Sequence, residues 1–312
     1  MSTPDSKEWL AYYDRFPYFT TDTIRDGCHP RVFKHEAATG KAIVLCHGLT
    51  DSPHFLMAIA RHFHTNLGCD VYLPLLHGHG LKEPKGMEGV ELEEWKANIG
   101  FAVDTAAGRA EFVSVGGLST GGTLSFYTAC TNPKVTGDLY LFSAALDLAG
   151  GPMGLIGEMK ERILRTFLSD LLDSQKPLVG RNPYRYDRMD MDGAKELARL
   201  IKETDGLLKG FDAKTPFPKR VFAAHSESDK TADISGIRNL QKKTPPERFT
   251  TYFIPKDEDV SHASLVLEES IFAVDTTEGE KPLEKANPKF AEMMAAVSNF
   301  EKKHDCKSTY RM

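Results

Sequence analysis

From about residue 40 onward, short runs of β-branched and aromatic residues alternate with longer stretches of helical periodicity. The first run, Ala42-Ile43-Val44-Leu45-Cys46, is apolar without interruption. That is expected of a strand buried on both faces of a parallel sheet. Five further runs share this character: Val71-Tyr72-Leu73, Glu111 to Val115, Leu139 to Phe142, Arg220 to Ala224 and Thr251 to Ile254. Between them lie amphipathic patterns with explicit punctuation. Ser52 and Pro53 stand at the N-cap and first helical positions of one, Phe55, Ile59 and Phe63 recur every fourth residue, and Gly68 ends it. Another runs from Leu92 to Ala107 with Trp95, Ile99, Val103 and Ala106 on one stripe, and a third reaches about Thr131. Asn287 to Lys303 reads as the last helix. Strands alternating with helices predict a doubly wound, mostly parallel α/β sheet, with ligands beyond the carboxyl ends of its strands.

One interval breaks the rhythm. Residues 149–212 carry helical patterns and no convincing strand, opening on Gly150-Gly151-Pro152 and closing before Lys214-Thr215-Pro216-Phe217-Pro218. The expectation is a core made of 1–148 and 213–312, with 149–212 inserted as a helical cap over the strand ends. A cap so placed roofs the crevice, so Leu155, Met159, Ile163 and Phe167 on its broad apolar face are candidate substrate-binding residues. Within the first 30 residues Trp9, Tyr12, Tyr13, Phe16, Tyr18 and Phe19 form an aromatic extension that reads as a strap on the core.

Composition narrows the partners. Lys+Arg 39 against Asp+Glu 44 gives a net charge of −5, so no basic field invites nucleic acid. No run of the roughly 18 apolar residues a membrane span needs occurs, and the amino end does not read as a secretory signal. The 5 cysteines, an odd number in a chain of 312 residues, read as reduced thiols and point to the cytoplasm. The partner expected is a small molecule.

Gly117-Leu118-Ser119-Thr120-Gly121 matches Gly-x-Ser-x-Gly. Alone the match is weak, since a chain of this length carries one by chance about one time in ten. Its position strengthens it: it follows a strand and opens a helix, as a nucleophile elbow requires. A serine hydroxyl is a poor nucleophile near neutral pH and needs a base, and the base needs an orienting acid. In the order Ser, acid, His, the candidates at later strand ends are Asp229 and His262. For the acid, Glu227 in the same turn, Asp259 near the histidine and Asp147 after the fourth strand remain alternatives. The developing oxyanion needs donors, which the backbone N–H groups of Leu49, in the His47-Gly48-Leu49-Thr50 turn, and of Thr120 would supply.

Together, His47-Gly48-Leu49-Thr50-Asp51-Ser52-Pro53, Leu75-Leu76-His77-Gly78-His79-Gly80, Gly117 to Gly122, Asp229 and Ser261-His262 resemble the α/β-hydrolase superfamily. The nearest branch is the carboxylesterase and monoacylglycerol-lipase-like group, also labelled lysophospholipase-like or serine aminopeptidase-like. The likeness spans residues 40–303 in order. It implies Ser119 as nucleophile, Asp229 as acid, His262 as base, Leu49 and Thr120 as oxyanion donors, and no cofactor. The chain departs from the family's usual Gly and Val at Ser226 and Ala232.

The reading that follows is a serine carboxylester hydrolase acting on acyl esters, short- to medium-chain or monoacylglycerol-like, through an acyl-enzyme. The triad does not choose the leaving group, so amide, peptide or thioester hydrolysis is the alternative. A non-catalytic ligand-binding homologue would have lost a triad member, and all three residue types are present. His77-Gly78-His79 and His62-Phe63-His64 invite a metal, but no third ligand of suitable spacing accompanies either pair. Cys46, in an apolar strand, is expected to be inert.

Overall fold

The computed structural model of the protein describes residues 20–83, 87–146, 177–188 and 191–308. The six expected strands are all present, as β2 (Lys41–Cys46), β3 (Asp70–Leu73), β4 (Phe112–Leu118), β5 (Leu139–Phe142), β6 (Val221–Ser226) and β7 (Phe249–Ile254). A further strand precedes them, β1 (Arg31–Phe33), which pairs antiparallel with β3. It is only three residues long, and Val32 alone among them is buried, so it carries no readable pattern. The sheet order is β1-β3-β2-β4-β5-β6-β7, parallel from β3 to β7.

Alternate residues of the central strands feed two separate cores. Ala42, Val44, Leu139, Leu141, Val221 and Ala223 face one side. Ile43, Leu45, Tyr140, Phe142, Phe222 and Ala224 face the other. The helices α2 (Leu92–Ala107), α3 (Thr120–Thr131), α4 (Met191–Lys209) and α5 (Ile234–Lys242) cover the first face. The helices α1 (Met57–Leu67) and α6 (Phe290–Ser308) cover the second. Trp95, Ile99, Val103 and Ala106 form the buried stripe of α2, and α1 ends on Gly68 at φ 68°. Pro53 opens a short 3₁₀ turn through Leu56 before α1 begins, and Ser52 makes no side-chain cap. In α4, the last helix of the 149–212 interval, Ala194, Leu197, Leu200 and Ile201 join the first core and the helix packs on α3 and α2. The part of that interval carrying Leu155, Met159, Ile163 and Phe167, expected as a cap, lies outside the described residues, as do Asp147 and the aromatic extension up to Phe19.

Strand order reverses at β2. The chain leaves β2 for β3 on one side and later returns to β4 on the other, which opens a crevice beyond the carboxyl ends of β2 and β4. The register there pairs Cys46 with Gly117, so His47 and Ser119 emerge side by side. Gly121, in the first turn of α3, lets that helix start directly under the neighbouring strand: a Cβ on it would strike the Cys46 and His47 carbonyls. Gly100, in the middle of α2, has nothing within 4 Å of its would-be Cβ. Gly121→Ala is therefore expected to lower unfolding free energy by about 1–3 kcal/mol, and Gly100→Ala to raise it by about 0.5–1 kcal/mol. Denaturant unfolding of the two variants measures both.

Candidate active site

Ser119 joins β4 to α3 without an intervening loop, and its backbone shows the cost: φ 53° and ψ −119°, far from where a serine prefers to sit. Neighbours over-determine that conformation. The Ser119 N–H donates to the Phe142 carbonyl at 3.0 Å, and its carbonyl accepts from the Thr123 N–H at 3.0 Å. Thr123 Oγ1 donates to the same carbonyl at 3.2 Å. Ser125 Oγ ties Gly116 to Gly121, 2.8 and 2.7 Å from their carbonyls. Strain held this way is a mark of functional positions. Thr120, the first residue of α3, has an N–H with no intrahelical acceptor, at the positive end of the helix dipole.

The turn after β2 meets the serine. A Cβ on Gly48 would stand 3.4 Å from the Ser119 Cβ. Beside it the His47 imidazole is completely buried, and its tautomer follows from its contacts. Nε2 accepts from the Leu76 N–H at 3.1 Å, so Nδ1 carries the proton and donates to the Gly48 carbonyl at 2.9 Å. Burial lowers its pKa to about 4, the bond to Gly48 only partly opposing, so the ring is neutral near pH 7. With the Gly48 carbonyl drawn to His47, and the peptide trans, the Leu49 N–H points the opposite way.

Beyond β6 and β7 the two remaining candidates come together. His262 Nδ1 lies 2.7 Å from Asp229 Oδ2, an oxygen wholly shielded from solvent. The other oxygen, Oδ1, accepts from the N–H groups of Thr231 and Ala232 at 2.8 and 3.0 Å. Burial pushes the Asp229 pKa up. The charge and hydrogen bond of His262, then His225 and the Thr231 N–H, outweigh burial and hold it at about 2. An ionised Asp229 favours the tautomer with the His262 proton on Nδ1 and the ring's lone pair on Nε2. The alternatives stand elsewhere: Glu227 and Asp259 are exposed, and Asp259 closes a 3₁₀ turn at φ 48°.

Two other groups at this end of the sheet escaped the sequence reading. His225 Nε2 lies 3.1 Å from the Ala232 carbonyl and 3.7 Å from Asp229 Oδ2, closing the acid's loop. Asp51, buried in the turn after β2, has its pKa raised to about 6 by burial, against the pull of Arg185 and His262. Asp51 lay inside a quoted motif and His225 just after a quoted strand, but a histidine near a strand end and an acid between Thr and Ser give no signal of burial. Arg185, which pairs with Asp51, stands in a loop of no distinctive pattern.

The paired histidines are held by protein groups. His79 Nδ1 lies 2.9 Å from the His77 carbonyl, His77 Nε2 is 3.4 Å from Glu94, His62 Nε2 meets Ser298 Oγ at 2.9 Å and His64 Nδ1 meets the Cys69 carbonyl at 3.1 Å. Among the described residues no group of three or more His, Cys, Asp or Glu is placed to hold a metal. Burial drives the Cys46 thiol pKa far above its ordinary range. Among the described residues no helix is long and apolar enough to cross a membrane.

Residues 37–256 match the family model described as serine aminopeptidase, S33. The thermostable monoacylglycerol lipase of Bacillus sp. (strain H-257) is 29% identical over 207 residues, 64% of this chain and 78% of the relative. Among solved structures, one reported with the metagenome-derived lipolytic enzymes LipS and LipT aligns at a TM-score of 0.61 and 17% identity, over 89% of this chain and 99% of its own. The Paleococcus ferrophilus monoacylglycerol lipase aligns at 0.58 and 14% identity, over 88% and 98%. The seven-stranded sheet and the sequence match agree, and the chain belongs to the serine aminopeptidase S33 family, with the α/β-hydrolase fold.

Proposed function

We propose that this protein is a serine carboxylester hydrolase that cleaves acyl esters, short- to medium-chain or monoacylglycerol-like, through Ser119, His262 and Asp229. The observation that carries the reading is the 2.7 Å bond from a buried, ionised Asp229 to His262 Nδ1, at the same end of the sheet as the strained Ser119. In the first half-reaction His262 Nε2 takes the Ser119 proton as Oγ bonds to the ester carbonyl carbon, and the carbonyl oxygen becomes an oxyanion. The Leu49 and Thr120 N–H groups receive that oxyanion. The intermediate collapses with cleavage of the carbon–oxygen bond to the alcohol, which leaves with the proton from Nε2. Water then attacks the acyl-enzyme by the same route, giving the acid and restoring Ser119.

The substrate class leans on the relative from Bacillus, which is a monoacylglycerol lipase by name. A cavity of about 500 Å³, whose lining includes none of Ser119, Asp229 and His262, lies among residues 54–61, 183–184 and 266–274. Its lining mixes Phe55, Met57, Leu267 and Phe272 with Arg61 and Glu268, a surface suited to an amphiphile. The family's description as a serine aminopeptidase keeps peptide cleavage as the second reading. Cys28, Cys46, Cys69 and Cys130 are free thiols, which fits a reducing compartment such as the cytoplasm.

Ser119→Ala and Asp229→Asn are each expected to lower kcat by about 10⁴-fold or more, and a fluorophosphonate to label wild type at one adduct per chain and Ser119→Ala at none, read by intact mass. A Ser119→Ala protein that hydrolyses esters at the wild-type rate would refute the assignment. Assays with p-nitrophenyl esters of graded chain length beside aminoacyl anilides separate the two readings: the first predicts turnover of esters and little of anilides. His47→Phe, which releases the Gly48 carbonyl, is expected to lower kcat by about 10²-fold with KM nearly unchanged, and His47→Asn, whose amide can still donate, to lose less.

A further inference from the structure

Backbone strain like that at Ser119 recurs in the turn after β2. Thr50 has φ +66° at the third position of the turn closed by the Asp51 N–H on the Gly48 carbonyl at 3.2 Å. A positive φ at that position suits glycine or asparagine and penalises a β-branched side chain. Such a conformation lasts only where surrounding groups enforce it. Here the enforcing groups come from residues far along the chain. The Tyr186 N–H donates to the Thr50 carbonyl at 3.0 Å. Arg185 spends its three side-chain nitrogens on three partners: Nε lies 3.3 Å from Asp51 Oδ1, Nη2 donates to Thr50 Oγ1 at 3.5 Å, and Nη1 donates to Glu284 Oε1 at 2.6 Å.

Each partner holds the next in place. The guanidinium lies over the Phe55 ring, 5.8 Å from its centroid, and the Arg185 carbonyl takes a bond from Arg25 Nη1 at 3.2 Å. Glu284 is fixed by its backbone bridge to Ile271. At the other end, the Asp51 carboxylate, 4% exposed, packs against Gly48 so closely that a Cβ there would run into Oδ2. That same Cβ would stand 3.4 Å from Ser119. The chain of contact therefore runs from Glu284 through Arg185 and Asp51 to the residue that faces the nucleophile.

We propose that Arg185 is the positioning residue of the oxyanion turn, holding Thr50 and Asp51 so that the Leu49 N–H stays aimed at the reacting carbonyl oxygen. The inference rests on the reading of Ser119 as nucleophile and Leu49 as oxyanion donor. A planar fork suits the task, because it reaches a carboxylate, a hydroxyl and a second carboxylate at once; a lysine ammonium cannot span all three. An interaction that only aims an oxyanion donor acts on the transition state and leaves ground-state binding alone, so its loss falls on kcat.

The test is a double-mutant cycle on ester hydrolysis, with fluorophosphonate labelling of Ser119 alongside. Arg185→Met is expected to lower kcat by about 10²-fold with KM changed by no more than about threefold, and Arg185→Lys to recover little of it. In a Thr50→Gly background, where the turn adopts its positive φ without being pinned, the same Arg185→Met step is expected to cost about threefold or less. Should Arg185→Met fail to fold, Glu284→Gln, which unanchors the guanidinium without removing it, carries the test: a severalfold fall in kcat that Thr50→Gly abolishes. Wild type labelled at Ser119 together with unchanged turnover in Arg185→Met or, failing that, Glu284→Gln overturns this inference alone. So does a loss of the same size in the Thr50→Gly background. A wild-type protein that takes no phosphonate overturns the reading of the site, and this inference with it.

Discussion

The parallel pairing of β2 with β4 is the contact on which the rest depends. Because the chain enters these neighbours from opposite sides of the sheet, their carboxyl ends are the one place where two loops leave in different directions and a crevice opens. The register of Cys46 on Gly117 sets the loops level, and small residues let them close up. A Cβ at Gly117 would strike the Cys46 carbonyl and the backbone of Gly121. The separation between Ser119 and the Gly48 turn is thus fixed by backbone against backbone, the least compliant contact a protein has.

In that fixed pair the backbone is strained at Ser119 and at Thr50, and both are secured with hydrogen bonds. Ser119 is held by the Phe142 carbonyl and by Thr123, all within the sheet and its helix. Thr50 is held from outside the sheet, by Arg185 and Tyr186. The acid–histidine pair is built by a third device, a tight loop after β6 in which backbone N–H groups saturate one carboxylate oxygen and reserve the other for His262. Each device uses buried polar groups, which are stable only because their partners are supplied.

How much of this was legible in the sequence follows from the range of each interaction. Strands β2 to β7 were visible because burial on both faces writes itself as unbroken apolar runs, and Ser119 because a sharp strand-to-helix turn demands glycine on either side. Asp229 and His262 followed from chain order, although only coordinates separate Asp229 from Glu227 and Asp259. The strand β1 was invisible because three residues with one buried side chain make no pattern. The last part of β4 was missed because Gly116 and Gly117 carry no strand signal, yet the strand runs on to Leu118. Arg185 and Glu284 could not have been found: their meaning lies in whom they touch, 135 residues back along the chain in the case of Arg185 and Thr50.

The close approach of α3 to the carbonyls of β2 has an evolutionary side. Since the distance between Ser119 and the Gly48 turn is set by peptide groups, side-chain replacements on the cavity walls do not enter that contact. The stretches that surround the cavity, 54–58, 183–184 and 266–274, all lie off the sheet. Apart from Phe55 and Ile271, which back Arg185 and Glu284, their exposed side chains can change without disturbing that backbone contact, which gives one scaffold room for differently shaped walls.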